Sequence, residues 1–208
     1  VEFQTLYDFD FVKVTPSSSF CLRDWGAEDE WTGDPEGTRE YTRRVVSRAD
    51  DWTTLKPLDP GKGWLGGQVR ALELIRAALP ADTPVIQTIF SPLSQARNLI
   101  GADALPLHAR RHPAELKAAL DVITETTLRF VEAVKSTKVD GIFYAVQFAT
   151  QRIFSEAEYH EFGEPFDRKV LEAARDLWLN VVHLHGEDVM FDLAASYPAQ
   201  AMNWHDRE

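Results

Sequence analysis

Asn180-Val181-Val182-His183-Leu184-His185-Gly186-Glu187-Asp188 carries the strongest fold signal in the chain. An apolar run ends in two histidines and breaks at a glycine, the pattern of a buried strand closed by a turn. Side chains alternate along a strand, so His183 and His185 point to one side. Two imidazoles on one face at a strand end can share a metal ion or grip one substrate. A second polar cluster, Asn203-Trp204-His205-Asp206-Arg207, closes the next apolar run. Polar residues at the ends of successive strands are the arrangement of an active site on a parallel α/β scaffold.

To either side of this stretch the chain alternates strand and helix. Phe11 to Val14 is a short apolar run closed by Thr15-Pro16-Ser17-Ser18-Ser19, and Pro84 to Phe90 is a clear strand. Ser91-Pro92 starts the next helix as N-cap and first-turn proline, and Gly101 ends it. His112-Pro113 opens a long helix with Leu116, Leu120, Ile123, Thr127, Phe130 and Val134 on one face. Gly141 to Val146 is the third strand. Ser155 with Glu158 makes a capping box, and a helix follows from Pro165 to Leu177. Leu65 to Leu79 is helical by spacing, as is a short piece from Gly186 to Ala195, and the last strand is Ala199 to Asn203. Asp24 to Pro60, rich in Trp, Gly, Asp and Pro, reads as an irregular excursion forming a lid or wall, with a charged helical stretch around Arg39 to Arg48. Parallel strands are expected at 10–14, 85–90, 141–146, 181–185 and 199–203.

Composition sets the outer limits. The 208 residues suffice for one substantial domain, taken here as a single unit over 1–208. A net charge of -11 argues against a nucleic-acid-binding surface. A single cysteine, Cys21, allows no intrachain disulfide and fits a reducing, cytoplasmic setting; it reads as buried filler. No apolar run reaches the roughly 20 residues of a membrane span. The chain opens without a methionine and without the basic and apolar regions of a signal peptide. The glycines around Lys62 lack phosphate-loop spacing.

Several segments together resemble the uroporphyrinogen decarboxylase superfamily. They are Asp10-Phe11-Val12-Lys13-Val14-Thr15-Pro16, Thr88-Ile89-Phe90-Ser91-Pro92-Leu93 and Asp140-Gly141-Ile142-Phe143-Tyr144-Ala145-Val146-Gln147, then Phe162-Gly163-Glu164-Pro165-Phe166-Asp167, His183-Leu184-His185-Gly186 and Asn203-Trp204-His205-Asp206. The resemblance implies an α/β fold, a (β/α)₈ TIM barrel of which this chain holds about five βα units, incomplete at both ends. It implies one of two chemistries. One is decarboxylation of the acetate arms of a uroporphyrinogen-like tetrapyrrole, without a cofactor. The other is zinc-assisted methyl transfer to a thiol from a corrinoid or other donor. Decarboxylases of the family carry an aspartate after the first strand, where this chain reads Thr15-Pro16-Ser17-Ser18. Methyltransferase relatives carry His-x-Cys where this chain has His183-Leu184-His185, so zinc would meet a second histidine instead of a thiolate. The balance tips to the methyl-transfer branch, with decarboxylation and a non-catalytic scaffold subunit as alternatives. The expected partner is a small molecule, tetrapyrrole or corrinoid, with no nucleic acid and no membrane; a homodimer is left open.

The candidate residues carry distinct roles. His183 and His185 are the metal ligands, an incomplete zinc site by themselves. His205 and Asp206 are the acid–base candidates, although alternation lets only one of them face the barrel axis. Gln147 suits orientation of a polar substrate at the mouth. Lys13, charged inside an apolar run, would bind a carboxylate or phosphate. Trp204 would stack on a flat substrate, and Ser91 would touch substrate when not capping its helix. Tyr144 should face the other way and pack, while His108 and His112 should lie at the surface.

Overall fold

Strands without apolar–polar alternation belong to a sheet buried on both faces, which in proteins means parallel strands crossed over by helices. The computed structural model describes residues 1–35 and 37–205. A short helix, Glu2–Tyr7 (α1), precedes the first strand, Val12–Val14 (β1). Two strands, Glu28–Glu30 (β2) and Glu40–Arg43 (β3), then form an antiparallel pair of their own. Helix Gly63–Ala78 (α2) leads into Val85–Phe90 (β4), every residue of which is buried. Helices Pro92–Ile100 (α3), Ala104–Arg111 (α4) and Pro113–Ser136 (α5) lie between β4 and Gly141–Val146 (β5). Glu156–Phe162 (α6) and Glu164–Ala173 (α7) precede Val181–Leu184 (β6), and Phe191–Ala195 (α8) precedes Ala201–Asn203 (β7).

The sheet order is β1-β4-β5-β6-β7, and every pairing is parallel. Neighbouring strands are therefore successive in the chain apart from the β2–β3 excursion, as a closing barrel requires. The five strands fall within the stretches that the sequence suggests. One face of the sheet, with Ile89, Ile142, Tyr144, Val146, Val182 and Leu184, joins the helices in the main core. Among the described residues no helix is long and apolar enough to cross a membrane.

Two side-chain hubs hold these layers together. Asp167 on α7 is fully buried. It accepts hydrogen bonds from the hydroxyls of Tyr144 at 2.6 Å, Tyr159 at 2.6 Å and Tyr197 at 3.0 Å. Burial raises its carboxyl pKa to about 6, against the lowering effect of the three hydroxyls. Tyr144 thus packs away from the site, as alternation suggests. The second hub is Asn180, just before β6. Its Oδ1 accepts from the Ile142 amide at 3.1 Å, and its Nδ2 donates to the Ala174 and Leu177 carbonyls. Its own amide donates to Gln200 Oε1, and its carbonyl accepts from the Gln200 and Ala201 amides. One residue therefore fixes β5, β6 and β7 against each other at their N-terminal ends.

The excursion from Asp24 to Pro60 is a packed wall, and the helix expected around Arg39 to Arg48 is absent. That stretch holds β3 instead, whose Tyr41 is half-buried between exposed neighbours while Arg39 Nε reaches Asp29 at 2.9 Å. Strand pairing with β2 outweighs the helix propensity of the charged residues. Ala49–Thr54 is a 3₁₀ helix whose Trp52 is 1% exposed, and its indole N–H donates to His108 Nδ1 at 3.0 Å. His108 is consequently a half-buried acceptor and not a surface residue. Asp24 caps α2 by accepting from the amides of Trp64 and Leu65. Gly63 takes a left-handed φ of 56° beside that carboxylate, where a Cβ would lie 2.2 Å from it. The helix read from Gly186 to Ala195 is helical only at α8, because Val189 bridges to Thr150 before it.

Candidate metal and substrate site

The register pairs Ala145 with His183 and His183 with Asn203. Paired residues of a parallel sheet share a face, so β5, β6 and β7 present one continuous row. Lys13 Nζ lies 4.1 Å from the Phe143 ring centroid, and Phe143 stacks on His183 with centroids 5.2 Å apart. His183 Nδ1 is 2.7 Å from Asn203 Oδ1. A carboxamide oxygen only accepts, so His183 carries its proton on Nδ1 and leaves the Nε2 lone pair open. Fixing a tautomer in this way is how a second partner prepares a histidine ligand.

His185 and His205 meet two residues further along. His205 Nε2 lies 3.2 Å from His185 Nδ1, and their rings stand edge to face at 4.8 Å. His183 is 5.9 Å from His185 and 6.0 Å from His205, ring centre to ring centre. One ligand nitrogen from each of the three lies within 4.8 Å of the other two. A tetrahedral zinc with Zn–N bonds of ~2.0–2.1 Å sets its nitrogens roughly 3.3 Å apart. The His185–His205 pair already has that spacing, and a His183 nitrogen lies within 4.8 Å of both. The donor set therefore fits zinc, with three nitrogens and a fourth position for water or substrate. Burial first, and the neighbouring rings after it, hold His183 below the usual imidazole range. His185 is lowered by burial, then by His205 and Arg97. Both are thus neutral near pH 7, the form that ligates metal.

The other sequence candidates divide. Gln147 joins His185 in lining a cavity of about 240 Å³, together with Arg97, Phe148, Thr150 and Arg152. The cavity wall is stitched from the loops after β5 and β6: Thr150 Oγ1 donates to the Glu187 carbonyl at 2.6 Å, and Arg152 Nε meets Asp188 at 2.7 Å. Lys13 shares the face but lies in a separate groove with Phe143 and Asn203, where partial burial lowers its pKa. Ser91 is 1% exposed; its hydroxyl lies 2.7 Å from Ser94 Oγ, and Ser94 Oγ accepts from the Gln147 amide at 3.1 Å. Ser91 therefore supports Gln147 from behind and does not line the cavity. Trp204 falls on the opposite parity to Asn203 and His205 and packs edge-on against Phe191 at 5.1 Å. His205 is the neighbour that turns to the histidine pair; Asp206 lies outside the described residues. Cys21 is buried, and burial pushes its thiol up to about 12.

Arg97 escaped the sequence reading. It is the one charged residue of α3, a helix in which every other residue is buried, and that contrast is the signal that could have exposed it.

Comparison with known proteins agrees with the fold. The family model described as uroporphyrinogen decarboxylase (URO-D) matches residues 30–207. A methyltransferase from Methanosarcina mazei superposes with a TM-score of 0.81 at 17% identity, covering 96% of this chain and 58% of that one. A B12-independent methionine synthase from Shewanella sp. W3-18-1, solved in complex with selenomethionine, gives 0.53 at 14% identity, covering 94% and 52%. The chain spans little more than half the length of either protein. No curated protein matches the sequence.

Proposed function

The chain belongs to the uroporphyrinogen decarboxylase family, and from that premise we propose that it serves methyl transfer from a corrinoid or other donor to a thiol, with His183, His185 and His205 as zinc ligands. One observation carries the reading: ligand nitrogens of three histidines, from the ends of two adjacent strands, lie within 4.8 Å of one another. The fold likeness to a methyltransferase supports the same branch.

Methyl transfer to sulfur needs the thiol proton removed before the S–CH₃ bond can form. The donor–CH₃ bond breaks in the same step, and its electron pair stays with the donor. A zinc ion held by these histidines would supply Lewis acidity, lowering the pKa of a coordinated thiol so that its proton passes to solvent near neutral pH. The chain's own residues do the positioning. Asn203 holds the His183 tautomer, Phe143 backs the ring, and Gln147 orients the polar part of the acceptor in the adjoining cavity.

The test is bound metal, measured by elemental analysis after incubation with zinc at neutral pH. Wild-type protein should hold stoichiometric zinc, and His185→Ala should lose it while keeping its circular dichroism. The ligand lies at a strand end and not in the packed core, so the fold should persist. A wild-type protein that takes up no transition metal refutes the zinc reading and turns attention to cofactor-free decarboxylation or a scaffold role.

A further inference from the structure

We propose that the cavity between the β5 and β6 loops is an anion subsite, in which Arg97 grips a carboxylate of the methyl acceptor and Gln147 receives an N–H or O–H of the same molecule. The inference rests on the zinc reading only for where the reacting sulfur lies; the subsite itself needs no metal.

Two of the side chains that line this cavity each carry an unsatisfied polar atom. Arg97 Nε and Gln147 Oε1 are both buried without a hydrogen-bond partner. Native proteins leave few such groups orphaned, and each calls for an explanation such as a functional role, a water or an ion. Their chemistry is complementary to one kind of molecule. Arg97 Nη1 is committed to Asn98 Oδ1 at 2.8 Å, and the guanidinium lies over the Phe148 ring at 5.6 Å. That commitment leaves the edge formed by Nε and Nη2, two parallel N–H groups that match the two oxygens of a carboxylate. Gln147 Oε1 can only accept, so its partner must donate. A carboxylate with an amino or hydroxyl group beside it satisfies both.

The electrostatics point the same way. Burial first, and the nearby Arg44 guanidinium second, push Arg97 below its usual range. Arg152, the other cation of the wall, is paired with Glu187 and Asp188. In a chain of net charge -11, a desolvated guanidinium set beside a second cation is a place where an anion relieves both penalties. The cavity, at about 240 Å³, is smaller than the ~300–1,000 Å³ of sites for drug-sized ligands. Its occupant is therefore small. Because His185 lines the same cavity, a thiol on that molecule would reach the histidine cluster while its carboxylate stays on Arg97.

The probe is L-cysteine, kept reduced, titrated calorimetrically into chelator-treated, metal-free protein. Cysteamine lacks the carboxylate, and taurine and inorganic phosphate offer tetrahedral anions. Cysteine should bind about ten- to hundredfold more tightly than cysteamine, and Arg97→Gln should remove that advantage. Gln147→Glu, which puts a carboxylate into the same cavity, should weaken cysteine to a similar degree and decides the matter if Arg97→Gln does not fold. Equal affinity for cysteine and cysteamine, or cysteine binding unchanged in both variants, overturns the subsite. Arg97-dependent binding of taurine or phosphate tighter than that of cysteine overturns the carboxylate assignment. Arg97-dependent cysteine binding in a protein that takes up no zinc keeps the subsite and removes the zinc reading alone. Zinc uptake with no Arg97-dependent binding does the reverse.

Discussion

Replacing Asp167 by asparagine sets burial against hydrogen bonding at the three-tyrosine hub. The carboxyl is fully buried and its pKa rises from 3.8 to about 6. At 1.36 kcal/mol per pKa unit, this shift puts the ionised folded state about 3 kcal/mol above where an unperturbed carboxylate would lie. Since the folded pKa is raised, the folded protein takes up this proton before the unfolded chain does. The group's contribution is therefore fully present below pH ~3.8 and is lost as pH rises through about 6. Between pH 8 and pH 5 the gain is about 1.4 kcal/mol. His183 and His185, whose folded pKa values are lowered, act in the opposite sense over part of this window. Comparison with the Asp167→Asn variant cancels them, because both proteins contain them. Six tryptophans make urea unfolding readable by fluorescence at each pH. The wild-type minus variant stability should be flat above about pH 7 and climb by about 1.4 kcal/mol toward pH 5. A flat difference throughout, or a wild type that loses ground as pH falls, would show that the three hydroxyls outweigh desolvation and would refute the argument.

Two further outcomes follow from the geometry. Asn203→Ala removes the acceptor that fixes the His183 tautomer and should weaken zinc binding about 10- to 100-fold by chelator competition, with the fold intact; an unchanged affinity would place Asn203 outside the site. At Gly141 an added Cβ would lie 1.7 Å from the Leu179 carbonyl oxygen, a backbone atom that cannot swing aside. Gly141→Ala should therefore cost roughly 1–3 kcal/mol or more in denaturant titration, and a neutral result would mean that the Leu179 segment yields easily.

Legibility in the sequence followed physical range. The five strands were visible because apolar runs, interrupted at few positions such as Lys13 and ending in glycine or polar residues, have few other solutions in an α/β fold. Parity along β6 placed His183 and His185 together, and parity beyond β7 separates His205, which joins them, from Trp204, which does not. Parity along β5 likewise sent Tyr144 to the helices. What stayed hidden depends on partners distant in sequence. The residues of β3 read as helical because charge and local spacing say nothing of the β2 strand they pair with. His108 looked like a surface residue because its partner, Trp52, lies 56 positions away. Arg97 was missed for the same reason: only the fold brings α3 beside Gln147 and His185.

Asn180 gives the site a property of a different kind. It sets the alignment of β5, β6 and β7 from their starting ends, five residues before His185, or roughly 16 Å at the rise of a strand. A slip of one position between β6 and β7 would turn Asn203 and His205 toward the helices and dismantle the cluster at once. The residue that aligns the strands and the histidines of the candidate site therefore occupy separate ends of the same strands. Positions 148–152 and 186–190, in the loops that wall the cavity, can change without touching that alignment. A change at position 180, distant from the histidines, would loosen the alignment on which their cluster depends.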